Sequence, residues 1–205
     1  LTMNMVIYLE SSVIVTLIPT HFHYNMEKLY LNGQIQSEAN YKDGKNDGNQ
    51  ITYYENGKKE SEVFFKDGEL DGKYIGWYES GKKRAEAFFK DGEEDGKRTE
   101  YYENGQKLRE GTVKDGEYYV INGWNKDGEL LVKDGNGKWT SYDEDGQIEN
   151  EGNYKDGERD GKWTSYYENG QKKEEKNYID GELDGKYIDY LDDGIKQSEF
   201  AYKDG

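Results

Sequence analysis

A glycine at a tight turn returns every 24 residues in this chain, at 33, 57, 81 and 105 and again at 146, 170 and 194. It closes the phrase YYENG at 53–57, 101–105 and 166–170, and the variant WYESG at 77–81. A second phrase, KDG, ends at 44, 68, 92, 116, 157 and 205, with IDG ending at 181. Self-similarity at a fixed short period is the mark of a repeat architecture. A unit with two turns in 24 residues has room for two strands and none for a helix, and a parallel crossover needs a dozen or more connecting residues. The strands therefore meander antiparallel. The reading is all-β: an elongated antiparallel meander of about seven stacked β-hairpins in a single ribbon.

In the unit GKYIGWYESGKKRAEAFFKDGEED, 72–95, the strands fall near 73–79 and 82–90. Asn-Gly between such runs is the strongest short hairpin signal, because both central residues of a type I′ turn need positive φ. KDGELDG then turns the chain into the next hairpin. The rhythm breaks once. Gly105 to Gly128 is 23 residues and Gly128 to Gly146 is 18. Residues 117–137 read as a shortened hairpin within an array that runs from 29 to 205. Residues 1–28 form an N-terminal segment whose apolar run, MVIYLESSVIVTLI at 5–18, is too short to span a bilayer. That run reads as an edge strand or as an extension upstream of a start at Met26, with a degenerate signal peptide as the alternative.

Equivalent positions line up as files of side chains. One file is Tyr53, Trp77, Tyr101, Tyr142, Tyr166 and Tyr190, and its neighbour is Tyr54, Tyr78, Tyr102, Asp143, Tyr167 and Leu191. On the second strand one position is Glu38, Glu62, Glu86, Glu110, Glu151, Glu175 and Glu199, followed after three residues by Tyr41, Phe65, Phe89, Val113, Tyr154, Tyr178 and Tyr202. Turn length decides which files share a face. A two-residue Asn-Gly loop sets Ile51 opposite Glu62. It puts Tyr54, Ser61, Val63 and Phe65 on the better-buried face, and Ile51, Tyr53 and Glu62 on the other. A three-residue Glu-Asn-Gly loop reverses that parity. The two-residue loop is the commoner connection and is the reading adopted.

Charge limits the partners. With Lys+Arg 28 and Asp+Glu 44 the chain carries −16, which opposes nucleic acid and argues against anionic membrane. It favours a basic protein. There is no Cys, so disulfides and thiolate metal sites are excluded. KDGELDG lacks the alternating oxygen ligands of a calcium loop and reads as turn chemistry. His21 and His23 are two ligands and do not close a metal site. The Glu file is a row of equivalent groups, whereas acid–base catalysis needs two carboxylates in different environments. Pairing with a lysine such as Lys73 or Lys97, or repulsion against lateral sheet association, accounts for it. No catalytic residues, cofactor or metal are expected, and the chain is not read as an enzyme. The candidate partner-binding residues are Tyr53, Trp77, Tyr101, Tyr142, Tyr166 and Tyr190 with Glu62, Glu86, Glu110, Glu151 and Glu175. Rings set among carboxylates suit a basic surface, although packing within the sheet explains the same rings.

The stretch GKWTSYYENGQKKEEKNYIDG, 161–181, resembles the MORN repeat variant, and the array is similar to the bacterial YwqK-family antitoxins. The resemblance rests on the YYENG turn, the Glu followed by Tyr and the spaced DG pairs. It implies a β-hairpin array that binds other proteins, in some cases neutralising a toxin encoded nearby, and it brings a link to lipid binding. The expected function is a non-catalytic, cytoplasmic protein-binding module of antitoxin or immunity type that covers a basic, toxin-like surface. The alternative is a structural or surface-exposed array, exported through its N-terminal run, with no single high-affinity partner. The oligomeric state is open.

Overall fold

The structure, a computed structural model, describes residues 3–6 (backbone only), 23–143 and 145–203. Two compact units divide the chain, Leu1–Gly105 and Gln106–Gly205. Among the described residues every element is a strand. The first unit holds β1 (Met3–Val6), β2 (His23–Leu29), β3 (Ile35–Lys42), β4 (Lys45–Tyr53), β5 (Lys59–Lys66), β6 (Glu69–Leu70), β7 (Gly72–Trp77), β8 (Lys83–Lys90), β9 (Glu93–Glu94) and β10 (Gly96–Tyr101). Its sheet runs β1-β2-β3-β4-β5-β7-β8-β10, with β6 paired to β5 and β9 to β8. Neighbours are antiparallel except β1, which lies parallel to β2. The array starts earlier than residue 29. His23–Leu29 is already the first strand of a hairpin, and Tyr24 stacks on Tyr41 with ring centroids 5.1 Å apart. Most of the 5–18 run, and His21, lie outside the described residues.

The second unit holds β11 (Lys107–Lys114), β12 (Glu117–Trp124), β13 (Leu130–Val132), β14 (Gly137–Tyr142), β15 (Ile148–Lys155), β16 (Glu158–Tyr166), β17 (Lys172–Ile179), β18 (Glu182–Tyr190) and β19 (Lys196–Tyr202). Hydrogen bonding runs β11-β12-β13, stops, and resumes as a separate six-stranded sheet from β14 to β19. The single ribbon is therefore interrupted at the shortened hairpin. Elsewhere one repeat pairs with the next through positions such as Ser61↔Gly76 and Glu62↔Ile75. At the break the equivalent of Glu62 is Glu129, and the turn takes it: Asn125 N–H donates to its carbonyl at 3.0 Å, and its own N–H donates to Asn125 Oδ1 at 2.8 Å. The position that would have bonded to β14 is thus consumed by the turn. Backbone bonds at the other edge span the gap, with Val120 N–H on Gly157 O at 2.9 Å and Gly157 N–H on Gly135 O at 2.9 Å.

The two turn phrases exchange the roles expected of them. At the Asn-Gly end only the glycine is left-handed, Gly57 at φ 79, so the turn is not type I′. Tyr54 N–H donates to Lys58 O and Gly57 N–H to Tyr54 O, both at 2.9 Å, enclosing a three-residue Glu55-Asn56-Gly57 loop. Type I′ geometry sits in KDG instead. Asp67 at φ 51 and Gly68 at φ 97 are both left-handed, between the paired residues Lys66 and Glu69. Asp tolerates that region because its short polar side chain can bond locally.

The three-residue loop alone would have reversed the faces. A bulge corrects it. Tyr53 pairs with Lys59 and Thr52 with Ser61, so Glu60 is an extra residue in the second strand. One extra residue in the loop and one in the strand cancel, and Ile51 stands opposite Glu62 as the two-residue reading had it.

On the face of Val63 and Phe65, the core face, the second unit gathers Val120, Val132, Trp139, Tyr154, Trp163 and Tyr178. Tyr154 meets Trp139 and Trp163 edge-on, at 6.5 and 5.1 Å between centroids. Trp163 lies flat over Gly152, where a Cβ would fall 2.2 Å from the indole, so only glycine fits. The guanidinium of Arg159 covers the rings of Trp163 and Tyr178 at 4.8 and 5.4 Å. The tryptophans belong to a file the sequence reading passed over: Gln50, Tyr74, Arg98, Trp139, Trp163, Tyr187. The first unit buries less on this face, chiefly Ala39 and Ala87.

Candidate partner-binding surface

The opposite face, called here the ladder face, carries the residues singled out from the sequence. Strand alternation brings Ile51, Tyr53 and Glu62 to it, with Lys59 opposite Tyr53. Equivalent residues of the next hairpin join them through Glu62↔Ile75 and Ile75↔Glu86. The rings and carboxylates come together, and they bond to each other. Tyr53 Oη donates to Glu38 at 2.8 Å, Tyr101 to Glu86 at 3.0 Å, Tyr166 to Glu151 at 2.6 Å and Tyr190 to Glu175 at 3.1 Å. Each bond ties a hairpin to the one before it. Burial, with the carboxylate bonds adding to it, pushes the Tyr53 and Tyr166 phenols up to about 12.

Lysines close the other side of the carboxylates from Glu62 onward, as the sequence reading allowed. Glu86 takes Lys73 at 2.7 Å and Lys83 at 3.0 Å. Glu175 takes Lys162 at 2.6 Å and Lys172, and Glu151 takes Lys138 at 3.0 Å. Glu62 pairs with Lys59 at 2.8 Å, and Glu110 with Lys107 at 2.7 Å. The bond from Lys73, helped by Lys83 and Tyr101, holds the Glu86 carboxyl down to about 2. At Glu175 burial works in the opposite direction, but Lys162 and Lys172 outweigh it and the carboxyl again lies at about 2. The Tyr166 hydroxyl and Lys138 lower Glu151.

Two members of the aromatic file depart from this pattern. Trp77 has no hydroxyl, and the Lys59 ammonium sits over its ring at 5.6 Å. Tyr142 is 41% exposed. The rest are half-buried.

The neighbouring tyrosine file has a use that sequence reasoning missed. Tyr30 Oη donates to Tyr53 O at 2.6 Å, Tyr54 to Trp77 O at 2.7 Å, Tyr78 to Tyr101 O at 2.7 Å and Tyr167 to Tyr190 O at 2.8 Å. Each clamps the strand end of the following hairpin. The constant separation of 23 residues was a signal available in the sequence, since it falls one short of the repeat. Tyr167→Phe is expected to destabilise the second unit by about 1 kcal/mol, the net worth of one such bond. Urea denaturation of the two proteins side by side measures it.

Six stretches of the chain match one family model, the MORN repeat variant: residues 25–43, 46–67, 70–91, 94–115, 135–156 and 159–180. Together they cover more than half of the sequence. The chain belongs to the MORN repeat variant family. The matched stretches leave out β12 and β13, the shortened hairpin at which the sheet breaks. No curated protein matches the chain. Membership makes it a repeat module of a kind that commonly binds other molecules.

Proposed function

We propose that this MORN repeat chain is a non-catalytic protein-binding module of antitoxin or immunity type, which covers a basic surface of its target. The observation that supports this is where exposed acid gathers. Ladder-face carboxylates lie under lysines, while the chain as a whole carries −16. Exposed carboxylates recur at the Asp-Gly edge of each unit instead: Asp67 with Glu69 and Asp91 with Glu93 in the first, Asp115 with Glu117 and Asp180 with Glu182 in the second. Successive turns are bonded in register, Gly68 N–H to Asn46 O at 2.9 Å and Gly92 N–H to Leu70 O at 2.9 Å, so the edge is held firm. A firm row of charge raises the encounter rate with an oppositely charged protein and orients it. Trp77 and Tyr142 remain the rings of the aromatic file best placed to add apolar contact.

Affinity capture followed by mass spectrometry is expected to return one dominant basic protein, released as salt rises. Glu69→Lys with Glu93→Lys is expected to weaken the complex at least about tenfold, or about 1.4 kcal/mol. These positions flank the turns and do not need left-handed backbone, so the fold is kept. Capture of no basic protein, or equal affinity after reversal of both charges, overturns the reading.

A further inference from the structure

The ladder face of the second unit carries a row of lysines, although the chain as a whole is acidic. Five lysines, Lys138, Lys162, Lys172, Lys186 and Lys196, bond there to three carboxylates, Glu151, Glu175 and Glu199. A depression of about 210 Å³ opens among them, with Lys138, Lys162 and Lys172 around Glu151 and with Asn153 and Thr164 on its walls. Glu151 accepts the Tyr166 hydroxyl and Lys138, while Lys162 and Lys172 are held on Glu175, so three lysines line the depression beside one carboxylate. The side chains of Lys138, Lys162 and Lys186 are 66%, 53% and 66% exposed. The first unit has a depression at equivalent positions, of about 320 Å³, and its charge is reversed: Glu27 and Glu38 with Asn25, Asn40 and Asn49. Glu86 in the first unit also holds two lysines, Lys73 and Lys83, but the depression of that unit is lined by acids and amides.

We propose that this depression and the lysine row through it bind an acidic protein segment in the polyproline II conformation, with a carboxylate at every third residue. Lys138, Lys162 and Lys186 stand on β14, β16 and β18, every second strand, which places them ~9.6 Å apart. A polyproline II segment has three residues per turn and rises ~3.1 Å per residue, so every third side chain returns to one side after ~9.3 Å. The two periods agree over three repeats. The surroundings select a narrow ligand. Asp156 and Asp180 are exposed at one edge, and Glu168 and Asp192 at the other, so a broad anionic surface meets repulsion on both flanks. This inference goes beyond the proposed function: it concerns a lysine row and not the Asp-Gly edge, and a ligand of opposite charge.

The test is fluorescence anisotropy of a labelled ten-residue peptide with Glu at every third position and Pro or Ala between, titrated with the full chain at low salt. An isomeric peptide with its Glu residues contiguous serves as control, and vesicles containing phosphatidylserine form a separate arm. The periodic peptide is expected to bind more tightly than the contiguous one. Lys162→Gln with Lys186→Gln is expected to weaken binding at least tenfold. Each affected carboxylate keeps a lysine, Glu175 keeping Lys172 and Glu199 keeping Lys196, so the variant retains its fold. Lys59→Gln in the first unit is expected to leave binding unchanged. Failure of the periodic peptide to bind, equal binding by the double variant, or vesicle binding in its place overturns the proposal.

Discussion

Trp163→Ala is expected to lower the stability of the second unit by about 3–5 kcal/mol, the usual cost of emptying a buried tryptophan site. Trp163 is 7% exposed and touches the core in three ways that no smaller side chain reproduces. Its ring fills the space over Gly152, it receives the edge of Tyr154, and its Nε1–H donates to Asn153 O at 3.0 Å. Arg159 would also lose the ring it covers. The effect is local, which makes it measurable. Three of the four tryptophans, Trp124, Trp139 and Trp163, lie in the second unit, so the intrinsic fluorescence transition in urea reports mainly on it. The fluorescence midpoint should fall sharply in the variant, while far-ultraviolet circular dichroism retains the signal of the first unit. A shift below about 1 kcal/mol would mean that the tryptophan file is a surface feature and that the core lies elsewhere. Gly152→Ala should act in the same direction, because it pushes a methyl group into the indole.

That file shows what was readable in advance and what was not. Strand and turn positions were legible because glycine and aspartate mark the chain at a constant interval, and the backbone angles require them. The pairing of Ile51 with Glu62 was reached through a loop that does not exist. Two irregularities, the left-handed Gly57 and the extra Glu60, offset one another. A bulge leaves no composition signal, so the error and its correction were equally invisible. The parity was nonetheless enough to place position 50 on the face of Val63 and Phe65, and following that position down the chain reaches Trp139 and Trp163. The break after β13 was not legible, since it depends on whether Glu129 bonds to the turn or to the next strand. The Glu file was read correctly as a row on one face, and its partners explain why it is a row. Glu86, Glu151 and Glu175 each accept from lysines of their own hairpin and from a tyrosine of the next, a contact that a repeated position makes again at every joint.

This arrangement makes the sheet sensitive to acid, and the sign follows from the shifts. Glu86 and Glu175 have folded-state values of about 2, below the 4.5 of an unperturbed carboxyl, and Glu151 is lowered too. The folded chain therefore binds these protons less readily than the unfolded chain. The stability they contribute is fully present above about pH 4.5 and is lost as pH falls toward 2. The groups are partly solvated, so the contribution is on the order of 1 kcal/mol each and a few kcal/mol together. Urea midpoints should stay level between pH 5 and 8 and drop below about pH 4.5. Glu175→Gln should remove part of that slope, because an amide still accepts from Lys172 and Tyr190 but no longer titrates. At high pH the direction reverses. Tyr53 and Tyr166, raised to about 12 from 10, favour the folded state below pH 10, and that contribution fades as pH climbs toward 12. A midpoint that stayed level down to pH 2.5 would show that the lysine and tyrosine bonds to these carboxylates are too weak to hold one hairpin to the next.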